Sequence, residues 1–349
     1  MMVFISSALS IFLVYLSKYK GAKFCFELSI IFLILFWSIR YDFGNDYLVY
    51  LDNFDSINSE IGVHLDFEYG WILLNKMFSR LGFPTLVFIV TVFQFYSVYF
   101  YLKRYVDRNF RWFVLMFYII NVSLMIHSLS GLRQTVSMSI FLFALHYIYS
   151  RKYLVSFFVI LFAAQFHSSA YFMLILPLTV FLLEINKKTY GMVLLTLFGL
   201  CFIFKRRLLD YFAIILTFEG VSRYEEYLEQ SDVAYSGGGL GIILQLLVLG
   251  ILFLYEKQEK SMQSWLIKLY QLSFIFVPLY TILPIFNRLQ MYFLLLGMGG
   301  TPMLIKVARK KYTICVIIVL YLLMLLLSFR SVLSTGPYSV YRTIFSELL

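Results

Sequence analysis

The sequence predicts an all-α integral membrane protein of about twelve transmembrane helices. Three observations carry that prediction. The 349 residues are 61% hydrophobic and 14% charged, with a mean hydropathy of +0.83. Apolar runs recur from end to end, each near the ~20 residues that cross ~30 Å of hydrocarbon. The basic residues cluster at alternate connections, as positive-inside topology requires. With no Pro/Gly/Ser linker, no soluble appendage and no repeat period, residues 1–349 read as a single polytopic domain.

The elements follow in chain order. A first crossing over 2–17 lacks a basic leader and a small-residue cleavage site, so it reads as a retained helix. Lys18, Lys20 and Lys23 follow on the inner side, and 24–39 returns outward to Arg40. An outer region of about 40–82 comes next. Its end, Phe67–Phe83, is apolar but broken by Asn75, Lys76, Ser79 and Arg80, and is expected to be re-entrant or interfacial. Crossings 83–102 and 112–128 flank the basic cluster from Lys103 to Arg111. Crossings 132–150 and 153–167 flank Arg151 and Lys152, and 169–185 and 189–204 flank Lys187 and Lys188. A second outer region, about 205–238, includes Leu208–Phe218, too short to cross and expected on the interface. Crossings 239–255 and 264–284 are joined by an inner cluster of Lys257, Lys260 and Lys268. The last pair, 288–306 and 312–329, flanks Lys306, Arg309, Lys310 and Lys311, and both termini fall outside.

This topology sorts the cations unequally. Of 15 Lys, only Lys76 and Lys205 lie outside, yet 9 of 14 Arg do. Positive-inside bias explains the lysines but not the outer arginines. Arginine grips phosphate bidentately and keeps its charge, so the outer face is expected to hold an anionic, phosphate-bearing ligand. The net charge of +10 is dispersed at helix ends, which argues against nucleic-acid binding. Cys25, Cys201 and Cys315 sit within apolar runs without metal-ligand spacing and read as packing residues.

Both outer regions mix acids with aromatics. Arg40–Glu68 carries Asp42, Asp46, Asp52, Asp55, Glu60, Asp66 and Glu68 among Tyr41, Phe43, Tyr47, Tyr50 and Phe54, and Glu219–Gly239 repeats the mixture around Arg223. Carboxylates accept from sugar hydroxyls and rings stack on pyranose faces, so a glycan site is one reading. A tyrosine-rich solvated loop is the other. Asp42 and Asp46 have a spacing open to a divalent ion, but a lone pair in a loop is weak evidence, and neither metal nor cofactor is expected.

Ionisable groups at membrane depth are functional candidates. Arg133 opens a crossing within HSLSGLRQTVSMS, where the helix N-terminus favours anions and small residues admit a ligand. Arg288 opens another, after a Pro and an Asn. His167 ends a crossing at the same depth and suits a general base or a hydrogen bond to a hydroxyl. Arg40 closes the second crossing. Lys205, Arg206 and Arg207 suit a lipid headgroup or a glycan phosphate. Against each stands a structural reading as a snorkelling or satisfied interfacial side chain.

The segments RYDFGNDYLVY, FEYGWILLNKMF, GLRQTVSMSIFLFALHYI, FHSSA, NRLQMYF and TGPYSVYRTIF resemble, in this order, the EpsG/Wzy-type polysaccharide polymerases of bacteria. The Arg133–Gln134 pair opening a helix and the Phe166–His167 pair ending one are the sharpest matches. Arg288 and Gly299 also stand in an R-x10-G spacing similar to one described for polymerases and ligases of this class. The resemblance implies an enzyme of O-antigen or capsule biosynthesis in the bacterial plasma (inner) membrane, working on its outer, periplasmic face. It would move a growing glycan from undecaprenyl pyrophosphate to the non-reducing end of a lipid-linked repeat unit. Such a glycosyltransferase uses no nucleotide sugar, and partners would be the lipid-linked oligosaccharide, membrane lipids, a chain-length regulator and a flippase of the same pathway. Arg133 and Arg288 would then bind the donor pyrophosphate with Arg40 assisting, fixed guanidiniums offsetting the leaving group's charge. Gln134, Arg206, Arg207, Arg223, Asp42 and Tyr47 would line the substrate, and the base would be His167, Asp46 or Glu68. Alternatives are a flippase of the same lipid, which would carry charge through the membrane's depth, an O-antigen ligase, a membrane acyltransferase, or a non-catalytic scaffold.

Overall fold

A computed structural model describes residues 2–59, 67–204, 207, 239–257, 259–280, 285–334 and 336–346. Arg206, Arg223, Glu60, Asp66 and the stretch 208–218 lie outside the described residues. Packing divides the chain into two compact units, Met1–Pro177 with Leu325–Leu349, and Leu178–Met324.

The first unit holds α1 (Met2–Leu16), α2 (Cys25–Ser38), α3 (Tyr47–Asn58), α4 (Tyr69–Met77), α5 (Phe83–Tyr105), α6 (Arg111–Ile120), α7 (Ile126–Ser130), α8 (Leu132–Tyr149) and α9 (Tyr153–Ala164). Its outermost helices wear their apolar residues outward. On α1 the buried stripe is Val3, Ser6, Ser7, Ser10 and Val14, at helical spacing. Its large side chains Met2, Ile5 and Phe12 are exposed. Small residues let α2 approach closely, and Ser29 Oγ donates to the Ser10 carbonyl at 2.9 Å. That pattern buries small polar groups and leaves hydrocarbon for lipid.

The second unit contains α10 (Lys187–Ile203), α11 (Gly239–Tyr255), α12 (Met262–Ser273), α13 (Val277–Tyr280), α14 (Ile285–Gly297) and α15 (Pro302–Ala308). Gly297 brings α14 against the Tyr270 backbone of α12. Lys268, expected in an inner basic cluster between two crossings, is buried, its ammonium 3.5 Å from Glu256 and 3.8 Å above the Tyr190 ring. A long helix, α16 (Tyr312–Leu333), leaves this unit and enters the first.

Among the described residues, three helices are long and apolar enough to cross a membrane: Lys20–Ser38, Phe83–Tyr105 and Tyr312–Leu333. A fourth appears if Phe286–Gly300 and Pro302–Ala308, bent by 49°, act as one span. The other expected crossings are shorter, broken or, like the 18-residue α8, less apolar. Asn121 takes an extended backbone and separates α6 from α7. The run after His167 winds as a 3₁₀ helix, Ser168–Leu183, with Pro177 inside. Residues 264–284 break at a 3₁₀ turn, Phe274–Phe276. The expected outer loop 40–68 is partly helical, because Tyr47, Tyr50 and Phe54 form one buried stripe on α3. At nine residues, α4 is roughly 14 Å long, less than half the hydrocarbon thickness.

Candidate functional site

Four of the segments singled out above meet in the first unit. Glu68 lies just before α4, in the extended conformation that starts a helix (φ −62°, ψ 139°). One carboxylate oxygen of Glu68 accepts from Arg133 Nη1 at 2.7 Å. The other accepts from the backbone N–H of Ser168 at 2.8 Å. Both side chains are largely buried, 12% exposed for Glu68 and 18% for Arg133. The Phe67 ring lies under the guanidinium at 4.8 Å, and Tyr50 of α3 hydrogen-bonds to it. The partners are 65 and 100 residues apart in sequence.

Backbone contacts hold this clamp rigid. The Trp71 N–H, in the first turn of α4, donates to the Gln165 carbonyl at 3.1 Å, tying α4 to the end of α9. Gly70 makes the approach possible: a Cβ there would sit 2.7 Å from the same carbonyl oxygen. Position 168 is thereby fixed beside Glu68. His167, just before it, is buried, and its Nδ1 accepts from the Ser169 N–H at 3.1 Å, with Ser169 Oγ at 2.8 Å. A backbone donor at Nδ1 places the neutral ring's proton on Nε2. Whatever Nε2 meets, it meets as a donor.

The RYDFGND segment packs beside the clamp through a second set of contacts. The Asp46 N–H donates to Ser130 Oγ at 3.2 Å, and Asp46 precedes α3 half-buried. Gly44, at φ +102°, lies so close to Ser130 that a Cβ would stand 2.9 Å from its Cβ and Oγ. The chain's C-terminal segment completes the support. Arg40–Tyr41 (β1) pairs antiparallel with Arg342–Thr343 (β2), and the Gly44 N–H donates to the Pro337 carbonyl at 3.2 Å. Tyr341 stacks on Phe36 at 4.5 Å, and its hydroxyl donates to the Phe36 carbonyl.

Arg40 occupies a different setting from Arg133. It is 1% exposed and has no carboxylate partner among the described residues. Its Nη1 donates to the Trp37 carbonyl (2.6 Å) and Thr91 Oγ1 (2.8 Å), and its Nη2 to the Leu129 carbonyl (3.1 Å). The cation thus caps the C-terminal ends of α2 and α7, where carbonyl dipoles favour it. Burial pulls its pKa down to about 10, with Tyr47 and Tyr341 opposing. Asp42, in a left-handed turn (φ 46°), reaches Arg342 at 3.9 Å, a half-exposed pair of little energetic weight.

Tyr47 is buried edge-on against Phe83, and Tyr50 and Phe54 likewise pack on Trp71 and Phe83. These aromatics therefore face the core rather than presenting a stacking surface for sugars. Burial raises the Tyr47 hydroxyl pKa to about 12. Gln134 is buried next to Arg133. Arg288 lies half-buried in α14 of the second unit, and Arg207 is exposed. Among the described residues, no three His, Cys, Asp or Glu side chains gather as a metal site.

Phe67 and Ser168 enter the clamp without having been singled out from sequence, and Tyr50 had been named only among the aromatics of the outer region. Ser168 carried a faint signal through its place beside His167. Phe67 carried one in opening the FEYGW segment.

A helical membrane protein with lipid-facing apolar helices and a buried carboxylate–arginine clamp is the class these features define. The chain belongs to the EpsG family, whose model matches residues 23–343. That membership is consistent with a polysaccharide polymerase of glycosyltransferase type. No curated protein and no solved structure matches the chain.

Proposed function

We propose that this protein polymerises O-antigen or capsular repeat units carried on undecaprenyl pyrophosphate, as a twelve-crossing protein of the bacterial inner membrane with its site facing the exterior. The observation that carries the reading is the convergence of Arg133, Glu68, Ser168 and His167 from three distant segments. In the reaction, an acceptor hydroxyl oxygen attacks the anomeric carbon of the donor glycan. The bond from that carbon to the pyrophosphate oxygen breaks, and undecaprenyl pyrophosphate leaves with the electron pair.

Arg133 offers the leaving pyrophosphate a fixed guanidinium. Glu68 holds Nη1, and the buried Nε has no acceptor among the described residues. An orphaned buried donor calls for an acceptor, and a phosphate oxygen supplies one in the bidentate manner of arginine. His167 contributes as a donor through Nε2, to a sugar hydroxyl of the acceptor. Both oxygens of Glu68 already accept hydrogen bonds. The proton of the attacking hydroxyl is therefore assigned to Asp46, the remaining carboxylate held beside Ser130. The step needs no metal in this reading.

The test is purified protein in nanodiscs supplied with lipid-linked repeat units, the glycans resolved by size. A ladder of multimers, absent in Arg133→Ala, is expected. Translocation of the same lipid in proteoliposomes without a ladder would move the protein to the flippase class. Transfer to lipid A core without a ladder would make it a ligase.

A further inference from the structure

The second unit contains a cavity unrelated to the clamp. It encloses about 500 Å³ between the end of α11, the start of α12 and the segment from α15 to Lys311, within the range of roughly 300–1,000 Å³ that small-ligand sites occupy. Among the described residues, four lysines line it, Lys257, Lys306, Lys310 and Lys311, against a single acid, Glu259. The cavity also receives the first turn of α12, through Ser261 and Ser264. Backbone N–H groups and the dipole at that end of a twelve-residue helix add positive potential.

The floor is built rather than open. Ser264 is buried, and its Oγ donates to Glu256 at 2.7 Å within the Glu256–Lys268 pair. Gln263 is tied down by its bond to the Gly299 carbonyl at 2.6 Å. Glu256 is thus already neutralised by Lys268 and does not offset the lysines of the wall.

The remaining wall is apolar, through Ile267, Met303 and Val307. The cavity lies where α11 ends and α16 begins, with Tyr312 exposed at the start of an apolar helix. A water-soluble anion would gain nothing from that wall. A headgroup with the first carbons of its chains would use both halves. Basic pockets between membrane helices hold lipid headgroups by this combination, and positive-inside bias assigns this end to the leaflet that carries anionic lipid. We infer that this cavity binds the phosphate-bearing headgroup of an anionic phospholipid, independently of the polymerase reading.

Native mass spectrometry of the detergent-purified full-length protein tests this, with titrations of phosphatidylglycerol, phosphatidylcholine and inorganic phosphate. The variants are Lys310→Gln/Lys311→Gln and, as an equal loss of charge elsewhere, Lys20→Gln/Lys23→Gln. Phosphatidylglycerol should stay bound to the wild type and to the second variant. Its affinity should fall roughly fivefold for each cavity lysine removed, and Lys310→Arg/Lys311→Arg should restore it. Equal affinity in all variants, or equal weakening by Lys20→Gln/Lys23→Gln, would overturn the inference. Phosphatidylcholine binding as tightly would do the same, and so would phosphate competing as well as the lipid. Should Lys310→Gln/Lys311→Gln fail to fold, thermal unfolding of the wild type decides: no stabilisation by phosphatidylglycerol over phosphatidylcholine would refute it.

Discussion

Replacing Glu68 with Gln tests the clamp most directly. The carboxylate satisfies two donors at once, Arg133 Nη1 at 2.7 Å and the Ser168 N–H at 2.8 Å. A carboxamide offers one oxygen and must turn its NH₂ toward the other donor. One charge-assisted bond is lost, worth about 1.5–3 kcal/mol for hydrogen bonds to charged groups. The lower half of that range is expected, because Arg133 keeps 18% exposure and water can partly replace the acceptor. Turnover should suffer more than stability. On the proposed reaction, a guanidinium no longer held at Nη1 loses its aim at the pyrophosphate, and losing one such donor typically costs about a hundred- to a thousandfold in kcat. Glu68→Asp keeps the charge but is one methylene short, so it reaches Arg133 or Ser168 but not both, and an intermediate loss follows. The assay is single-turnover ladder formation in nanodiscs across pH, with thermal unfolding on the same samples. If Glu68 only positions Arg133, Glu68→Gln lowers kcat without removing a limb of the pH profile. Disappearance of that limb would make Glu68 the base and refute the assignment to Asp46. Wild-type turnover in Glu68→Gln would refute the clamp altogether.

Three further outcomes follow from the geometry. Tyr47 has its folded-state pKa raised to about 12 by burial, so the neutral phenol is the form favoured in the fold; its contribution to stability is complete below about pH 10 and is lost as pH climbs toward 12. The difference in Tm between wild type and Tyr47→Phe, measured from pH 8 to 11, should therefore change above pH 10 and stay flat below it. Gly44→Ala forces a side chain into a left-handed backbone and against Ser130, and should lower stability by about 1–3 kcal/mol in chemical denaturation. Lys268→Met leaves Glu256 buried without its cation, a loss of about 3–5 kcal/mol; adding Glu256→Gln should recover most of it in a double-mutant cycle.

Much of the class was legible because it rests on local properties. Apolar runs, alternating basic clusters and the order of short motifs need no knowledge of which residues meet. The clamp was not legible in that way. Glu68 read as one of seven acids in a loop and a candidate base, and Arg133 as a pyrophosphate ligand beside a helix N-terminus, with nothing to pair them. They meet at 2.7 Å only in the folded chain, and no local pattern specifies a pairing across 65 residues. The helix α3 was legible in principle: Tyr47, Tyr50 and Phe54 stand at i, i+3 and i+7. The density of acids around them pointed to a loop instead. Lys268 misled for the opposite reason. A lone lysine near a basic cluster reads as part of it, and its burial depends on Glu256 and Tyr190 arriving from other helices.

The arginine asymmetry itself takes on a second meaning. A charge that survives burial suits phosphate, but it equally suits helix ends, and the Nη1 and Nη2 groups of Arg40 meet two of them. Counting arginines on one side therefore overstates the number that face substrate. Arg133 differs in having a carboxylate partner and partial exposure, although the Nε of each arginine is buried without an acceptor among the described residues. Pairing an anion-binding arginine with Glu68 looks self-defeating, since it cancels the charge. On the proposed reaction, in which the group must release undecaprenyl pyrophosphate after every transfer, it is an advantage. A bare guanidinium would hold donor and product alike, and such uniform binding does not raise kcat. With one edge held by Glu68, the net attraction for a resting pyrophosphate is reduced, while the remaining edge stays oriented toward the charge that develops as the glycosidic bond breaks.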